Sequence, residues 1–424
     1  MRKTFLSFSF GCRVNEAERE KLDQQLLSHG FNKSEENPSF YIINSCAVTV
    51  KAEREVRQFI YQVKRRFPKT KIIITGCSAT LWETHKSIIL GVDLVVENIH
   101  KDNLVNIMLS YYKIGKKIYS NTKDVHDKFI DSGRLLIKIQ DGCSRFCTFC
   151  IVPYLRGRPK SRKIEEIIRQ INGKKNIQEV ILTAINTEAF GLDTHETFVK
   201  LLESTILKTI VPRISLGSIN PWSIDDKFYN FYKHYKSTGR LVDFFHIPLQ
   251  SGSNKVLELM NRGYTREEFG EKIKMIHDIN PMAFIATDVI VGFLDESEKD
   301  FEYTYNFLVD SPISKLHVFR YSPREKTAAY YMKKLRREKT PVVKTKRTKI
   351  LLELGKKKYQ QFLEKHIGKT FPALFLARRQ EGFQEALLNN QIPVLIKTEG
   401  GLAGKIREVR IEALKKNCLF ARGF

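Results

Sequence analysis

The sequence predicts an α/β protein made of several domains. Apolar runs of strand length alternate with amphipathic helical stretches over residues 1–108 and again over residues 134–319. That alternation is typical of parallel sheets with crossover helices. The chain then ends in short alternating runs separated by turns, which favours a small antiparallel β-barrel. With 424 residues, the chain is long enough for two to four domains with sizeable cores.

Residues 1–108 form the first predicted domain. The apolar runs predict strands at residues 4–10, 40–44, 71–75 and 93–97. A cysteine follows each of the first three strands directly, namely Cys12, Cys46 and Cys77. Because the carboxyl ends of parallel strands share one edge of a sheet, we expect these thiols to meet there. Three buried structural cysteines are the simpler alternative.

Residues 109–133 are polar, rich in lysine and weakly periodic, which predicts a linker. Residues 134–365 then repeat the strand-helix alternation six times and end in a basic helical extension. Strands are predicted at residues 134–139, 179–183, 213–216, 242–247, 283–290 and 315–319. In barrels of such units the loops after the strands carry the functional groups. We therefore expect one edge to carry Thr183, Asn186, Ser215, Ser218, Gln250, Ser251, Asp288 and Tyr321.

The loop after the first of these six strands contains Cys143, Cys147 and Cys150. Iron-sulfur clusters usually take four thiolate ligands, so three cysteines in one short loop indicate an iron with a position open to a small molecule. A zinc knuckle is the alternative, but a closed zinc site needs a fourth Cys or His. The loop offers none, and His126 and His195 lie far from it in sequence.

Charge gives a second indication of function. The 72 Lys and Arg residues exceed the 47 Asp and Glu residues, for a formal net charge of +25. Such a surface attracts polyanions, so a nucleic acid is the partner we expect, although solvated helix faces would also explain part of the excess. Four cationic residues that follow the cysteine loop are expected to contact phosphates: Arg156, Arg158, Lys160 and Arg162.

Cysteine usage and hydropathy bear on the compartment. Seven cysteines make an odd and widely spaced set, which argues against a secreted disulfide framework and for the cytoplasm. The apolar start of the chain is short and broken by serines, so it is interpreted as a strand rather than a signal peptide. No apolar run approaches membrane-spanning length, and no membrane partner is expected.

The spacing of Cys143, Cys147 and Cys150, with Phe149 before the last cysteine, resembles that of radical S-adenosylmethionine (SAM) enzymes. Residues 151–158 (Ile-Val-Pro-Tyr-Leu-Arg-Gly-Arg) resemble the methylthiotransferase branch of that superfamily. Three N-terminal motifs of this chain resemble those of the same branch. They are residues 11–15 (Gly-Cys-Arg-Val-Asn), 44–49 (Asn-Ser-Cys-Ala-Val-Thr) and 75–77 (Thr-Gly-Cys). Residues 248–253 and 260–265 add further family-like stretches.

The resemblance implies three domains: an N-terminal Rossmann-like parallel-sheet domain, a central partial (β/α)6 TIM-like radical SAM barrel, and, over residues 366–424, a TRAM-like RNA-binding barrel. It also implies two 4Fe-4S clusters, each with one open iron, and SAM as the second cofactor. One cluster is implied on Cys143, Cys147 and Cys150, and the auxiliary cluster on Cys12, Cys46 and Cys77. The residues implied to contact SAM are Phe149, Asn186, Ser218, Gln250 and Asp288.

The implied reaction is radical methylthiolation, which requires an electron donor protein and a sulfur donor. Within the branch, Gly-Cys-Arg-Val-Asn at Cys12 resembles the enzymes that act on the C2 carbon of N6-threonylcarbamoyladenosine, next to the anticodon of tRNA. Three alternatives remain open. They are methylthiolation of isopentenyladenosine in tRNA, methylthiolation of a ribosomal protein side chain, and a non-catalytic RNA-binding protein that contains zinc.

The chain departs from the family pattern at several positions. Ala184 stands where glycine is usual, and Asn220 stands where an acidic residue usually precedes proline. Two pairs replace a usual Pro-Gly, namely Leu294-Asp295 and Glu325-Lys326. Loss of glycine changes loop shape and backbone approach. We therefore expect altered cofactor geometry at these loops and no effect on the cysteine ligands.

Overall fold

The computed structural model describes residues 3–115 and 130–423, so the predicted linker lies outside the described residues from 116 to 129, as does His126. The described chain forms two compact units. The first contains the residues up to 115 together with Asp141–Arg158 and Ser322–Tyr330. The second contains residues 130–140, Pro159–Tyr321 and residues 331–423. The cysteine loop of the central segment thus belongs to the same unit as the N-terminal cysteines.

The first unit is built on a five-stranded parallel sheet in the order β2-β1-β3-β4-β5. The strands are β1 (Thr4–Ser9), β2 (Asn32–Lys33), β3 (Phe40–Ser45), β4 (Lys71–Gly76) and β5 (Leu94–Val96). All six residues of β3 are buried, which is why this strand is a continuous apolar run rather than an alternating one. The four strands predicted here are confirmed, and the two-residue β2 is added at the sheet edge.

Helices connect the strands of the first unit or follow its last strand in sequence. They are α1 (Arg13–Ser28), α2 (Val50–Arg66), α3 (Cys77–Thr84), α4 (Leu104–Tyr111) and the short α5 (Val152–Arg156). Helix α2 begins where the Thr49 side chain accepts a hydrogen bond from the Ala52 amide at 3.1 Å, and it ends with three basic residues that favour the helix C-terminus.

The second unit contains six parallel strands, as predicted from the sequence. These are β6 (Arg134–Asp141), β8 (Glu179–Ala184), β9 (Arg213–Leu216), β10 (Phe244–His246), β11 (Phe284–Val291) and β12 (Lys315–Arg320), and β7 (Lys160–Ser161) is a short edge strand beside β6. The strands β6, β8 and β9 form one parallel group and β10 to β12 form another. Parallel bridges from Ile214 to Leu241 and from Ser218 to His246 join the two groups into a partial barrel.

Helices cover the outside of this partial barrel, and their apolar faces share one large core with the strands. They are α6 (Ile164–Asn172), α7 (Phe198–Lys208), α8 (Asp226–Tyr235), α9 (Asn254–Leu259), α10 (Arg266–Ile279) and α11 (Glu298–Asp310), together with α13 (Pro341–Glu364). The short α12 (Ala328–Met332) precedes α13 in sequence and begins in the first unit. Capping boxes at Thr265 and Ser297 fix the starts of α10 and α11.

The end of the chain forms a closed five-stranded barrel in the order β13-β14-β15-β17-β16. Its strands are β13 (Thr370–Gln380), β14 (Phe383–Leu388), β15 (Pro393–Lys397), β16 (Ile406–Lys415) and β17 (Cys418–Gly423). The apolar runs at residues 370–376, 392–397, 405–411 and 418–421 predict four of them, and β14 is missed. The prediction of an antiparallel barrel holds for the other neighbouring pairs, but β15 and β17 are parallel.

A buried polar network joins the closed barrel to the first residues of β8 and β9. The Glu179 carboxylate is fully buried and accepts hydrogen bonds from Arg134 at 3.1 Å and from Gln391 at 2.7 Å. The Arg213 guanidinium pairs with Glu179 at 3.1 Å and donates to the Leu388 carbonyl at 3.0 Å. The closed barrel is therefore fixed at the amino ends of these strands, opposite the edge on which the polar candidate residues are predicted.

No helix in the described ranges is both long enough and apolar enough to cross a membrane.

Candidate active site

The three N-terminal cysteines lie at one edge of the first sheet. Cys12 follows β1 and begins α1, Cys46 follows β3, and Cys77 follows β4 as the first residue of α3. Because these strands are parallel neighbours, the three thiols stand at the carboxyl edge of the sheet. Gly11 has a φ of +91°, and a Cβ there would lie 3.0 Å from the Cys46 sulfur. A side chain at position 11 would thus crowd the thiol site.

The three thiols are close enough to affect one another electrostatically. Burial, together with negative charge on Cys77 and Cys12, raises the pKa of Cys46 to about 12. A thiolate at this position therefore needs positive charge nearby. Two buried cations, Arg156 and Lys101, lie close enough for the Cys77 charge to raise the pKa of each. Burial acts in the opposite direction on both cations, and it prevails for Lys101.

Arg156 connects the N-terminal sheet to the second cysteine loop. Its guanidinium donates to Glu18 at 3.0 Å, to Asp141 at 2.7 Å and to the Asn15 side chain. Lys101 donates to the same Glu18 at 2.6 Å. The Arg156 side chain is only 2% exposed, so the prediction that it contacts phosphates is wrong. Its charge is used inside the protein, between the two sets of cysteines.

The second set of cysteines lies on a compact loop. The Cys143 amide donates to the Gly157 carbonyl at 3.1 Å, and the Cys150 amide donates to the Cys147 carbonyl at 2.9 Å. A Cβ on Gly142 would lie 2.2 Å from the Arg158 carbonyl oxygen, so only glycine fits where the ends of the loop approach. Cys147 is buried, whereas Cys143, Cys150 and Phe149 are half-buried.

The loop also packs against the N-terminal cysteine site. Ile151 and Leu155 form a buried cluster with Ala47, Cys77 and Leu81. The side-chain amide of Asn98 donates to the Leu155 carbonyl at 3.0 Å, and its nitrogen lies 3.7 Å from the Cys77 sulfur. Both cysteine sets are therefore parts of one packed unit.

Among residues 3–115 and 130–423, no three His, Cys, Asp or Glu side chains form a ready-made metal site. The chemistry of the donors nevertheless fits iron-sulfur clusters, which are held by Cys thiolates. Three cysteines follow neighbouring strands, three more share one loop, and buried cations lie near Cys77. The assignment of all six cysteines as ligands stays a prediction.

The second unit carries a hydrogen-bonded line of three residues, which lie just after β9, at the end of β10 and within β11. The Ser218 hydroxyl and His246 Nδ1 are 2.6 Å apart, and His246 Nε2 lies 2.8 Å from Asp288 Oδ1. The Gln250 backbone amide donates to the Asp288 backbone carbonyl at 2.8 Å. Three of the four residues predicted on these barrel loops to contact SAM are thus brought together. Sequence reasoning missed His246, although it is the last residue of its strand.

A second histidine adjoins this line. The ring of His317 on β12 meets that of His246 edge-to-face at 5.4 Å. Burial lowers the pKa of His317, and the charge of His246 lowers it further. Burial and the neighbouring His246 charge therefore both favour the neutral form of His317.

Asn186 takes up a structural position at the same edge. Asn186 is buried, and its backbone amide donates to the Gln140 side chain at 2.9 Å. Its side-chain oxygen accepts from the Glu188 backbone amide at 3.2 Å. Tyr321 is also buried, and its hydroxyl has no hydrogen-bond partner among the described residues. An unpartnered buried hydroxyl is costly, so it fits a site completed by a bound group.

Three of the predicted edge residues are buried. Ser215 donates to Glu179 at 2.7 Å within the buried network at the amino ends of the strands, so its assignment to the carboxyl edge is wrong. Thr183 is buried against Gly217, where a Cβ would lie 2.7 Å from the Thr183 hydroxyl. Ser251 is buried and pairs with Thr304.

The remaining predicted phosphate contacts differ in exposure. Arg158 and Lys160 are exposed, as phosphate contacts require. Arg162 is half-buried, and its guanidinium donates to Gln170 at 2.7 Å.

The departures from the family pattern have local explanations. Asn220 accepts hydrogen bonds from the Thr187 amide at 3.0 Å and hydroxyl at 3.2 Å, so its amide oxygen serves where a carboxylate is usual. Asp295 and Lys326 stand where glycine is usual and adopt φ values of +51° and +71°. Asp295 also accepts from the Arg336 side chain and the Arg337 amide. The backbone conformation that glycine favours is thus kept without glycine.

The other departures are accommodated as well. Ala184 ends β8 in the barrel core and Leu294 is fully buried. Glu325 lies 3.5 Å from the His85 ring nitrogen.

Two family comparisons match separate parts of the chain. Residues 137–308 match the radical SAM superfamily, and residues 4–96 match an uncharacterized protein family, UPF0004. A radical SAM methyltransferase from Kitasatospora setae has a similar fold, with a TM-score of 0.51, 12% identity and coverage of 76% of this chain and 75% of that one.

Several characterised relatives are similar over most of their length. A threonylcarbamoyladenosine tRNA methylthiotransferase, MtaB, from Aquifex aeolicus is 38% identical over 87% of this chain and 92% of its own. The protein of the same name from Bacillus subtilis is 32% identical over 95% and 92%. A tRNA-2-methylthio-N(6)-dimethylallyladenosine synthase from Thermosipho africanus is 32% identical over 96% and 99%.

Proposed function

The chain belongs to the tRNA methylthiotransferase family of radical SAM enzymes, and we propose that it methylthiolates the C2 carbon of N6-threonylcarbamoyladenosine in tRNA. The observation that carries this proposal is the 38% identity, over nearly the whole chain, to a relative named for that reaction. Gly-Cys-Arg-Val-Asn at residues 11–15 supports the same branch. The net charge of +25 agrees with an RNA substrate.

The cofactors we propose are two 4Fe-4S clusters and SAM, with tRNA, an electron donor protein and a sulfur donor as partners in the cytoplasm. Bound, these cofactors supply the radical chemistry and the sulfur that a carbon without an acidic hydrogen requires. Cys143, Cys147 and Cys150 would hold one cluster, and Cys12, Cys46 and Cys77 the other. Arg156 and Lys101 offset the negative charge that thiolates bring into the buried site.

The barrel edge would hold and orient SAM. Ser218 lies 2.6 Å from His246 Nδ1 and Asp288 lies 2.8 Å from His246 Nε2, so each of the three side chains is held in place by its neighbour. Gln250 lies beside Asp288, and the Tyr321 hydroxyl is available as a donor. Such fixed polar groups restrict a bound molecule to the geometry that a radical reaction needs.

Analysis of tRNA nucleosides tests the choice of substrate. The gene would be expressed in a bacterial host that lacks its own tRNA methylthiotransferases, and digested tRNA would be examined by mass spectrometry. We expect the methylthio form of threonylcarbamoyladenosine to accumulate. The methylthio form of isopentenyladenosine alone would instead favour the second candidate, which the Thermosipho relative supports. Absence of both would overturn the proposal of a tRNA substrate.

Two cysteine variants test the proposed roles of the clusters. Cys147→Ala is expected to abolish reductive cleavage of SAM, because it removes a ligand of the radical cluster. Cys46→Ala is expected to leave cleavage in place and to abolish methylthiolation. Deoxyadenosine and modified nucleoside are measured in the same anaerobic reactions. Equal loss of cleavage in both variants would contradict this division of roles.

Metal content tests the non-catalytic alternative. Protein purified without oxygen is expected to be brown and to contain iron and sulfide. Colourless protein with stoichiometric zinc would contradict the proposed chemistry.

A further inference from the structure

Two exposed aromatic side chains lie on the second cysteine loop and just after it, within the first unit. Phe146 directly precedes Cys147 and is 49% exposed, and Tyr154 on α5 is 44% exposed. Their ring centroids are 5.8 Å apart and the planes meet at 77°, an edge-to-face pair. Single exposed rings are common on protein surfaces, whereas a pair of them beside a functional loop needs a reason. We call Phe146 and Tyr154 the aromatic ledge.

The backbone beneath the aromatic ledge is fixed by packing. Phe146 has a φ of +47°, which is uncommon for a bulky residue and persists only where surrounding structure holds it. Ile151 and Leu155, on either side of Tyr154 in sequence, are buried against Cys77 and Leu81. The buried side of α5 therefore anchors the segment while the Tyr154 ring stays in solvent. A ligand that binds these rings need not order the chain first.

We propose that the aromatic ledge is a stacking platform for an unpaired base of the tRNA anticodon loop, other than the base that is modified. This inference rests on the proposed function and adds a contact to it. Aromatic rings bind single-stranded bases by stacking on their faces, and proteins recognise RNA loops largely through such splayed bases. Arg158, four residues after Tyr154, is exposed and supplies positive charge for the adjoining phosphate.

A different role for the rings would be to shield an iron-sulfur cluster from water, since Phe146 adjoins Cys147. The two roles predict different measurements. Shielding predicts that ring removal lowers iron content or oxygen tolerance and leaves RNA affinity unchanged. Stacking predicts a loss of RNA affinity that depends on one particular base.

A mutant cycle with modified RNA distinguishes these roles. The full-length protein and its Tyr154→Leu and Phe146→Leu variants would be purified without oxygen. Affinity would be measured by fluorescence anisotropy for an anticodon stem-loop and for stem-loops in which one loop nucleotide at a time is abasic. Leucine keeps an apolar side chain and removes the ring face. Tyr111→Leu is the matched control, because Tyr111 on α4 is also exposed and paired edge-to-face, with Tyr112.

We expect Tyr154→Leu to weaken binding of the intact stem-loop about tenfold, within the range for loss of one stacked base. The same variant should bind one abasic stem-loop as well as the unaltered protein does, and Tyr111→Leu should change nothing. Equal losses on every abasic RNA, or no loss at all, would overturn the proposal. Lower iron content with unchanged RNA affinity would also overturn it and would favour shielding.

The experiment gives a different result if the proposed function itself is wrong. In that case the unaltered protein neither binds the stem-loop nor modifies tRNA. If the unaltered protein modifies tRNA and the Tyr154→Leu cycle shows no base dependence, only the stacking platform is overturned.

Discussion

Arg156 is a cation buried inside the first unit, with its side chain only 2% exposed. In sequence it resembles its cationic neighbours, and nothing in composition or spacing separates it from Arg158 two positions later. In the fold, Arg156 is buried on Glu18 and Asp141, while Arg158 is exposed. The difference arises from α5, which turns Leu155 and Arg156 inward together. Burial of a charge is a tertiary property, so a single sequence did not reveal it.

Replacement of Arg156 should therefore be costly. Arg156→Met removes one cation from both Asp141 and Glu18, which keeps Lys101 and Asn44 as donors, and breaking a buried ion pair from one side typically costs about 3–5 kcal/mol. We expect the thermal transition of the protein to fall markedly. Differential scanning calorimetry without added cofactors measures this effect independently of activity. The matched control is Arg158→Met, for which a change within about 0.5 kcal/mol is expected.

The double variant Arg156→Met with Glu18→Gln checks the mechanism. If the cost comes from an uncompensated carboxylate, the double variant should lose less than the sum of the single losses. Strictly additive losses would mean that Arg156 stabilises the unit by packing rather than by charge.

At the scale of elements, regular strands with strong apolar character were predictable. Six strands of the partial barrel and four of the first sheet follow from apolar runs such as Ile72–Ile74, which are fully buried. Strand β14 was missed because Gln384 and Glu385 interrupt its apolar pattern, although Gln384 is 1% exposed. Its amide donates to the Leu376 carbonyl at 2.8 Å, so a hydrogen bond compensates its burial.

Some residues of the candidate site were predictable from the sequence, and others were not. Residues that follow strands were predictable, because parallel strands end at one edge. His246 was missed because its importance depends on contacts with Ser218 and Asp288 from two other strands. Ser215 was misassigned because it faces Glu179 within the buried network. Register, rather than residue type, decides these cases.

The junction between α13 and β13 gives a prediction on pH. His366 is fully buried there, where its ring contacts the Phe362 carbonyl at 2.9 Å and the Asn390 side chain at 2.8 Å. Burial lowers the pKa of His366 to about 4 from its ordinary 6.5. Because the folded pKa is depressed, the stabilising contribution is fully present above pH 6.5 and is lost as the pH falls from there toward 4.

A shift of that size corresponds to roughly 3 kcal/mol of lost stability at the acid end. The midpoint of urea unfolding, measured between pH 7 and pH 4.5, should fall more steeply for the unaltered protein than for His366→Phe. Phenylalanine keeps ring contact with Phe362 and Phe371 but cannot be protonated. Parallel pH profiles for the two proteins would contradict the assignment of this pH dependence to His366.

At the scale of the whole molecule, charge predicts how RNA binding responds to salt. With a net charge of +25, much of the affinity for tRNA should come from released counterions, so log affinity should fall linearly with log salt. Arg407 and Arg410 are exposed on β16 of the closed barrel, which we propose contacts RNA. Replacing both with glutamine should lower the magnitude of the slope by about 1.4–1.8, because each lost phosphate contact removes roughly 0.7–0.9.

Lys274→Gln is the control, since Lys274 is exposed and already paired with Asp278 at 2.6 Å, and its slope should match that of the unaltered protein. Filter binding across a salt series measures all three slopes, and an unchanged slope in the double variant would mean that these two arginines of the closed barrel do not contact phosphates.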